Sequence, residues 1–285
     1  MVADDGWFTE KAEEVGTAFS LRIREKLHEE ETAFQRIAVY ATETFGNLMV
    51  IDGYVMLSAR DHFIYHEMMT HPALFAHSGV RDVAIIGGGD CGSLCEVLRH
   101  QGVCSATQVE IDERVTRVAE RYFPELCVAN NDPRARFEFV DGIAWMAERP
   151  PASLDLIVVD STDPVGPAVG LFTQTFYQHC LCALRPGGVL VAQSESPFAH
   201  TQLVCAMAGA MRGAGFAHTH VLSFPQPVYP SGWWSATLAC KGEQRLQLPA
   251  HLGDVVTRYY TPAVHQAAFA QPAFLAEALD QALPG

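Results

Sequence analysis

The stretch AIIGGGDCGSLCEVLRH, Ala84 to His100, decides how the chain folds. An apolar run ends in three glycines, and a segment with helical spacing follows at once: strand, tight turn, helix. Apolar runs then recur at DVAII (82–86), ATQVEI (106–111), ARFEFV (135–140), LDLIVV (154–159) and GGVLVAQ (187–193). Turn residues and helix-like segments separate most of them. This alternation predicts βαβ units and an α/β fold with a parallel, doubly wound sheet. Two later runs, AHTHVLSF (217–224) and GWWSATLAC (232–240), predict a closing antiparallel hairpin.

Upstream the pattern changes. Residues 34–58, FQRIAVYATETFGNLMVIDGYVMLS, alternate apolar and polar positions around Phe-Gly and Asp-Gly, which predicts short antiparallel strands joined by tight turns. DHFIYHEMMTHPALFAH (61–77) then carries helical spacing. The expected division is a small N-terminal β-rich domain over residues 1–60 and a Rossmann-like domain over 61–285. RIREKLHEEE (22–31) reads as a solvated surface, and Trp233 and Trp234 as packing within the final hairpin.

Composition limits the possible partners. The formal net charge of −14 repels nucleic-acid phosphates and anionic membranes and favours cationic ligands. No apolar run approaches the length of a bilayer span, and the acidic start MVADDGWFTEKAEE lacks a signal-peptide pattern, so a cytoplasmic location is expected. The 8 cysteines form no C-x-x-C pair and sit mostly among apolar residues, which favours reduced, packed thiols. His62 and His66 stand four apart beside Glu67, but the order matches neither H-E-x-x-H nor its inverse, and no metal is expected.

Acids close four successive strands: Asp90, Glu110, Asp141 and Asp160. Open α/β sheets bind ligands at those carboxyl ends. Gly87 to Gly89 allow close approach of a ligand to the backbone, and Glu110, about 20 residues further on, suits the hydroxyls of a ribose. Asp90 lies where a pyrophosphate would otherwise bind, so a cationic nucleoside of the S-adenosylmethionine type fits better than a dinucleotide. The same carboxylate is equally suited to capping the helix that begins near Gly92. Asp141 can receive an adenine amino group or simply form an Asp-Gly turn. In VVDSTDPVGPA (158–168) the acids Asp160 and Asp163 are costly to bury unless they meet donors or a cation. A cap, a metal and a positively charged ligand all remain open for them on spacing alone.

With these segments in order along the chain, the sequence resembles the polyamine aminopropyltransferases, the family of spermidine synthase. The matching stretches are GNLMVIDG, DHFIYHEMMTH, IGGGDCGSLCEVLRH, VEIDERV, FVDGIAWM, VVDSTDPVGPA, LRPGGVLVAQSESP, VYPSGWWSATLACK and TRYYTPAVHQAAFA. The resemblance implies a methyltransferase-type Rossmann-like sheet and transfer of the aminopropyl group of decarboxylated S-adenosylmethionine to a diamine, typically putrescine. That nucleoside would be a co-substrate, with no permanently bound cofactor. The resemblance implies that Gln35, Gly87, Gly89, Glu110, Asp141, Gly142 and Pro167 hold the nucleoside, and that Asp90 holds the amine of the aminopropyl arm. His66, Tyr65, Asp163 and Tyr229 would line the polyamine channel, with Asp160 as proton acceptor and Tyr65 orienting the amine. Pro164, Gly166 and Pro167 would shape the loop after Asp163. It also implies a homodimer.

Two departures carry their own expectations. Cys91 replaces a glycine of the family's turn, which predicts strain and crowding of the donor if the backbone there is left-handed. His62 replaces the acid usual after Asp61. An amine N-methyltransferase on the same scaffold and a non-catalytic polyamine-binding protein are the competing readings. The extra carboxylate of ordinary S-adenosylmethionine would approach Asp90, which disfavours the first, and intact Asp160, Asp163 and Tyr65 disfavour the second.

Overall fold

The computed structural model describes residues 6–13, 15–77, 79–163, 166–242, 249 and 251–282, with the backbone alone described at Pro167. Its first sheet is an antiparallel meander of five strands, β1 (Trp7–Ala12), β2 (Thr17–Glu31), β3 (Arg36–Thr42), β4 (Asn47–Ile51) and β5 (Tyr54–Ser58), hydrogen-bonded in chain order. Asp52 and Gly53 both take positive φ, 52° and 94°, between the paired residues Ile51 and Tyr54. This is the tight Asp-Gly turn that the pattern predicts. The stretch read as a solvated surface lies within β2, a 15-residue strand whose charged side chains are mostly exposed and whose register against β3 shifts twice.

Helix α1 (His62–Ala76) leads into the second sheet. There β6 (Asp82–Gly87), α2 (Gly92–Leu98), β7 (Ser105–Glu110), α3 (Glu113–Tyr122), β8 (Ala135–Phe139), α4 (Gly142–Ala147) and β9 (Leu154–Asp160) follow one another. A 3-10 turn (Gly166–Phe172), α5 (Gln174–Ala183), β10 (Leu184–Gln193), α6 (Thr201–Ala214), β11 (His218–Pro225), β12 (Trp233–Cys240), α7 (Pro262–Ala268) and α8 (Ala273–Ala282) complete the order. The strands lie in the order β11-β12-β10-β9-β6-β7-β8; β6 to β10 are parallel, and β12 joins antiparallel to β10 with β11 outside it. The fold is the expected Rossmann-like doubly wound α/β sheet with its closing hairpin.

Alternation along the parallel strands decides what packs on each face. Val83, Ile85, Leu156 and Val158 face α1 and α2, where Met68, Met69, Leu94 and Val97 are fully buried. Ala84, Ile86, Ile157 and Val159 face the other way, toward Trp145, Phe176, Tyr177 and Met211. The meander docks through Ile37, Val39, Met49 and Leu57 onto Val115, Val118 and Phe123 around α3. Burying a side chain of this size contributes roughly 1.5–3 kcal/mol, so this contact fixes the small sheet beside the mouth of the large one.

Sheet order reverses between β6 and β9: one arm runs from β6 to β7 and β8, the other from β9 to β10. At such a point the loops diverge and leave a crevice beyond the carboxyl ends of the strands.

Candidate active site

Gly87 is paired in register with Asp160, so the glycine turn and the acid that ends β9 meet at the crevice. The φ of Gly87 is +82°, and a Cβ added there would come within 2.2 Å of the Asp160 carbonyl oxygen. No other residue fits this position without moving the backbone. At Gly89 a Cβ would lie 2.8 Å from Glu110 Oε2 and from Val115 Cγ1, so the absent side chain is what lets Glu110 lie across the turn.

A cavity of ≈ 360 Å³ opens above this junction. Of the residues named from the sequence, Gln35, Tyr65, Gly87, Gly89, Asp90, Glu110, Asp141, Gly142, Asp160, Asp163 and Tyr229 line it, and Gly166 borders it. Pro164 and the Pro167 side chain lie outside what is described. His66, expected on the channel wall, stands one layer behind: its ring is 2% exposed, and its Nε2 lies 3.3 Å from Asp90 Oδ1. Its place on α1 sets its ring against Gly92 at the start of α2, where an added Cβ would come within 2.1 Å of it, and there it serves a carboxylate of the wall.

The acids differ in their surroundings. Asp160 accepts from Tyr65 Oη at 2.7 Å on Oδ1 and from Ser93 Oγ at 2.6 Å on Oδ2. Burial, and next the Asp90 charge, push its pKa up despite those two donors. Burial would also raise Asp90, but the adjacent His66 imidazolium and the Gly92 N–H, 2.7 Å from Oδ1, leave it lowered. His66 in turn is opposed by burial yet held protonated by Asp90, with its pKa raised to about 9. Burial pushes Glu110 up to about 7, against the hydrogen bond its Oε1 accepts from the Asp112 N–H at 2.9 Å. Asp141 caps α4 as well as facing the cavity, its Oδ1 accepting the Ile143 N–H at 2.8 Å, and Asp90, one residue before the N-cap of α2, accepts the N–H of that helix's first residue, Gly92.

Tyr229 donates to the Met56 carbonyl at 2.6 Å, its ring 5.8 Å from Tyr65 and 4.7 Å from Trp234. Asp61 fastens the same junction, accepting Ser58 Oγ at 2.6 Å and the Val228 N–H at 3.2 Å. Gln35 reaches from the loop before β3 to Asp112 Oδ2 at 3.1 Å. Cys91 does take a left-handed φ of 72°, so the strain is present. Its thiol, however, is fully buried toward Gln108 Nε2, 3.8 Å away, and Cys127. The expected crowding of a donor is therefore corrected: Cys91 is not on the cavity wall.

Sequence reasoning missed two groups. Phe34, Ile51, Tyr54 and Met56 complete the cavity from the meander, and only Gln35 hinted that this sheet reaches the site. Ser93 was hidden because its partner lies 67 residues away.

The assembled site has a narrow chemical range. It lines one mainly apolar cavity with two neighbouring half-buried carboxylates, Asp90 and Asp160, and with the buried, ribose-suited Glu110. That suits a cationic nucleoside meeting a cationic amine.

Residues 62–248 match the model of the spermine/spermidine synthase domain, and residues 6–59 match the spermidine synthase tetramerisation domain. The polyamine aminopropyltransferase of Methylococcus capsulatus is 58% identical over 275 residues, 96% of each chain. That of Thioalkalivibrio sulfidiphilus is 57% identical over 283 residues, covering 98% of this chain and 99% of the relative. A crystal structure of spermidine synthase in complex with the transition state analogue AdoDATO superposes with a TM-score of 0.93 at 31% identity, covering 99% of this chain and 97% of that one. The spermidine synthase of Thermotoga maritima gives a TM-score of 0.91 at 31% identity, with 99% and 96% covered. On sequence, fold and domain models together, this chain belongs to the spermine/spermidine synthase family and is an aminopropyltransferase.

Proposed function

We propose that the chain transfers the aminopropyl group of decarboxylated S-adenosylmethionine to putrescine, giving spermidine and methylthioadenosine. The observation that carries this reading is the Asp160 carboxylate, half-buried at the switch point with a tyrosine hydroxyl on its cavity side and Asp90 beside it.

The chemistry follows from charge. An aliphatic ammonium has a pKa near ~10.4 and no lone pair, so the attacking nitrogen must first release a proton. Asp160 accepts it, and its raised pKa narrows the gap to the amine. The nitrogen lone pair then forms a bond to the methylene next to the sulfonium, the carbon–sulfur bond breaks, and its electrons leave on a neutral thioether. No acid is needed at the leaving group. What remains is to bring two cations together in line, which neighbouring carboxylates make tolerable.

The roles divide along the cavity. Gln35, Gly87, Gly89, Glu110, Asp141 and Gly142 hold the nucleoside, Asp90 holds the amine of the aminopropyl arm, and Tyr65, Asp163 and Tyr229 receive the acceptor. His66 acts from behind, keeping Asp90 ionised. The division at residues 60 and 61 belongs to the same proposal; two separate sheets and two family matches flanking that point support it. A homodimeric state and a cytoplasmic location are part of the same proposal, the latter suited to 8 unpaired thiols. Among the described residues no helix is long and apolar enough to cross a membrane.

A mass-spectrometric end-point assay tests the reading. Purified protein is offered putrescine, cadaverine and spermidine, each with decarboxylated and with intact S-adenosylmethionine. Methylthioadenosine with spermidine is expected. A methylated amine with S-adenosylhomocysteine, or a clear preference for another acceptor, overturns it. Sedimentation at micromolar protein checks the dimer, which either a monomer or a tetramer refutes.

A further inference from the structure

We infer that Ser93 is a positioning residue for the transfer reaction: its buried hydroxyl holds Asp160 Oδ2 so that the amine proton is delivered to Oδ1. The inference rests on the assignment of Asp160 as proton acceptor and names the atom that does the accepting.

The two oxygens of Asp160 are not equivalent. Oδ1 is shared with Tyr65, whose side chain lines the cavity. Oδ2 is tied to the buried interior: Ser93 donates to it at 2.6 Å, and it also packs against Gly88 of the glycine turn, where an added Cβ would come within 2.9 Å. Ser93 is fully buried and does not line the cavity. Its hydroxyl therefore cannot meet substrate, and whatever it contributes passes through the carboxylate.

A single turn of helix serves both acids. The Gly92 N–H holds Asp90 at 2.7 Å, and the next residue, Ser93, holds Asp160 at 2.6 Å. Both donors directly follow Cys91, whose backbone is left-handed at φ 72°. Carboxylates that share a cavity repel, and the one with fewer donors would take a proton or rotate away. With Oδ2 tied, rotation of the Asp160 carboxylate is blocked, and Oδ1 keeps a lone pair toward the amine. In the step itself an N–H bond of the ammonium breaks, an O–H bond forms at Oδ1, and the freed pair on nitrogen makes the new carbon–nitrogen bond as the carbon–sulfur bond breaks and its electrons stay on the neutral thioether.

Other groups around Asp160 also bear on its ionisation. They are Tyr65 and His66 from α1, Asp90 from the glycine turn, Tyr229 from the loop after β11, and Asp163 three residues on. A merely structural Ser93 would leave their combined effect on the pH profile unchanged.

The test compares Ser93→Ala, Ser93→Thr and Asp160→Asn, each checked for folding by circular dichroism, in steady-state assays from pH 5 to 9. In Ser93→Ala, kcat should fall roughly 10- to 100-fold near neutral pH, and the acid limb of the profile should move up by about one unit, the scale of one hydrogen bond to a charged group. KM for the amine should change less than about threefold. Ser93→Thr, which keeps the hydroxyl, should recover the wild-type limb. If threonine does not fit, Ser93→Cys, a weaker donor of similar size, should fall between serine and alanine. An unmoved acid limb and unchanged kcat in Ser93→Ala, with Asp160→Asn inactive, overturn this inference alone. Near-normal turnover in Asp160→Asn removes the base assignment on which it stands.

Discussion

Asp155 and Asp160 sit at opposite ends of β9, and their surroundings could hardly differ more. Asp155 Oδ2 accepts the N–H groups of Arg81 and Asp82, each at 2.9 Å, and meets Arg185 Nη1 at 2.8 Å. Burial opposes ionisation there, but those donors outweigh it and leave the pKa lowered. Asp160 has two neutral hydroxyls and an anionic neighbour, and its pKa is raised. The donor-saturated acid stitches the entry ends of β6, β9 and β10 together; the under-served one faces the cavity. In a parallel sheet the amino ends are free to be optimised for stability, while the carboxyl ends keep groups whose charge is unsettled until a ligand arrives.

That contrast is open to direct attack. The largest expected effect is on rate: Asp160→Asn should lower kcat by at least ~10³-fold, within the range of general base catalysis. The same change should leave stability at pH 7 unchanged or higher. Since the folded pKa is raised, the folded state holds its proton more tightly, so ionised Asp160 costs stability above that pKa and the cost vanishes below its ordinary 3.8. Thermal melts of the variant from pH 4 to 8 check this sign.

Glu110 should behave as Asp160 does in stability but not in rate. Its shift from 4.5 to about 7 means that folding stability declines as pH rises through that window. Glu110→Gln should therefore gain up to about 3 kcal/mol at pH 8 and nothing below about pH 4.5, by denaturant titration. Donor affinity should drop at the same time, about 10-fold by calorimetry, since an amide accepts ribose hydroxyls less well than a carboxylate.

Asp155→Asn is the converse case and the smallest effect. It should leave kcat within about twofold and cost roughly 1–3 kcal/mol at pH 7, the scale of one weakened buried network. Because the folded pKa is lowered, the contribution of Asp155 is present above its ordinary 3.8 and is lost as pH falls through the folded value. The difference between wild type and variant should narrow below pH 4. Loss of turnover with full stability in this variant would dissolve the distinction between the two ends.

The legible part of the molecule was the part written in local pattern. Five parallel strands, the Asp52-Gly53 turn, and the acids at the strand ends each announce themselves within about ten residues. β1 and β2 do not: in β2, Arg22, Arg24, Glu25 and Lys26 break the alternation that marks a half-buried strand, because both faces of much of it are solvated. The cavity wall from Phe34, Tyr54 and Met56 depends on how the small sheet docks, which no local pattern carries. His66 and Ser93 show the same limit at the scale of single side chains. Helical spacing put them near the right acids, but only packing decides that one backs Asp90 and the other ties Asp160.

The most direct test is the single-turnover rate of Asp160→Asn, with donor and putrescine both saturating and donor affinity measured alongside. The prediction is methylthioadenosine release slowed by at least ~10³-fold while the donor still binds within about threefold of wild type. Turnover near the wild-type rate with the donor bound would contradict the claim that Asp160 takes the proton.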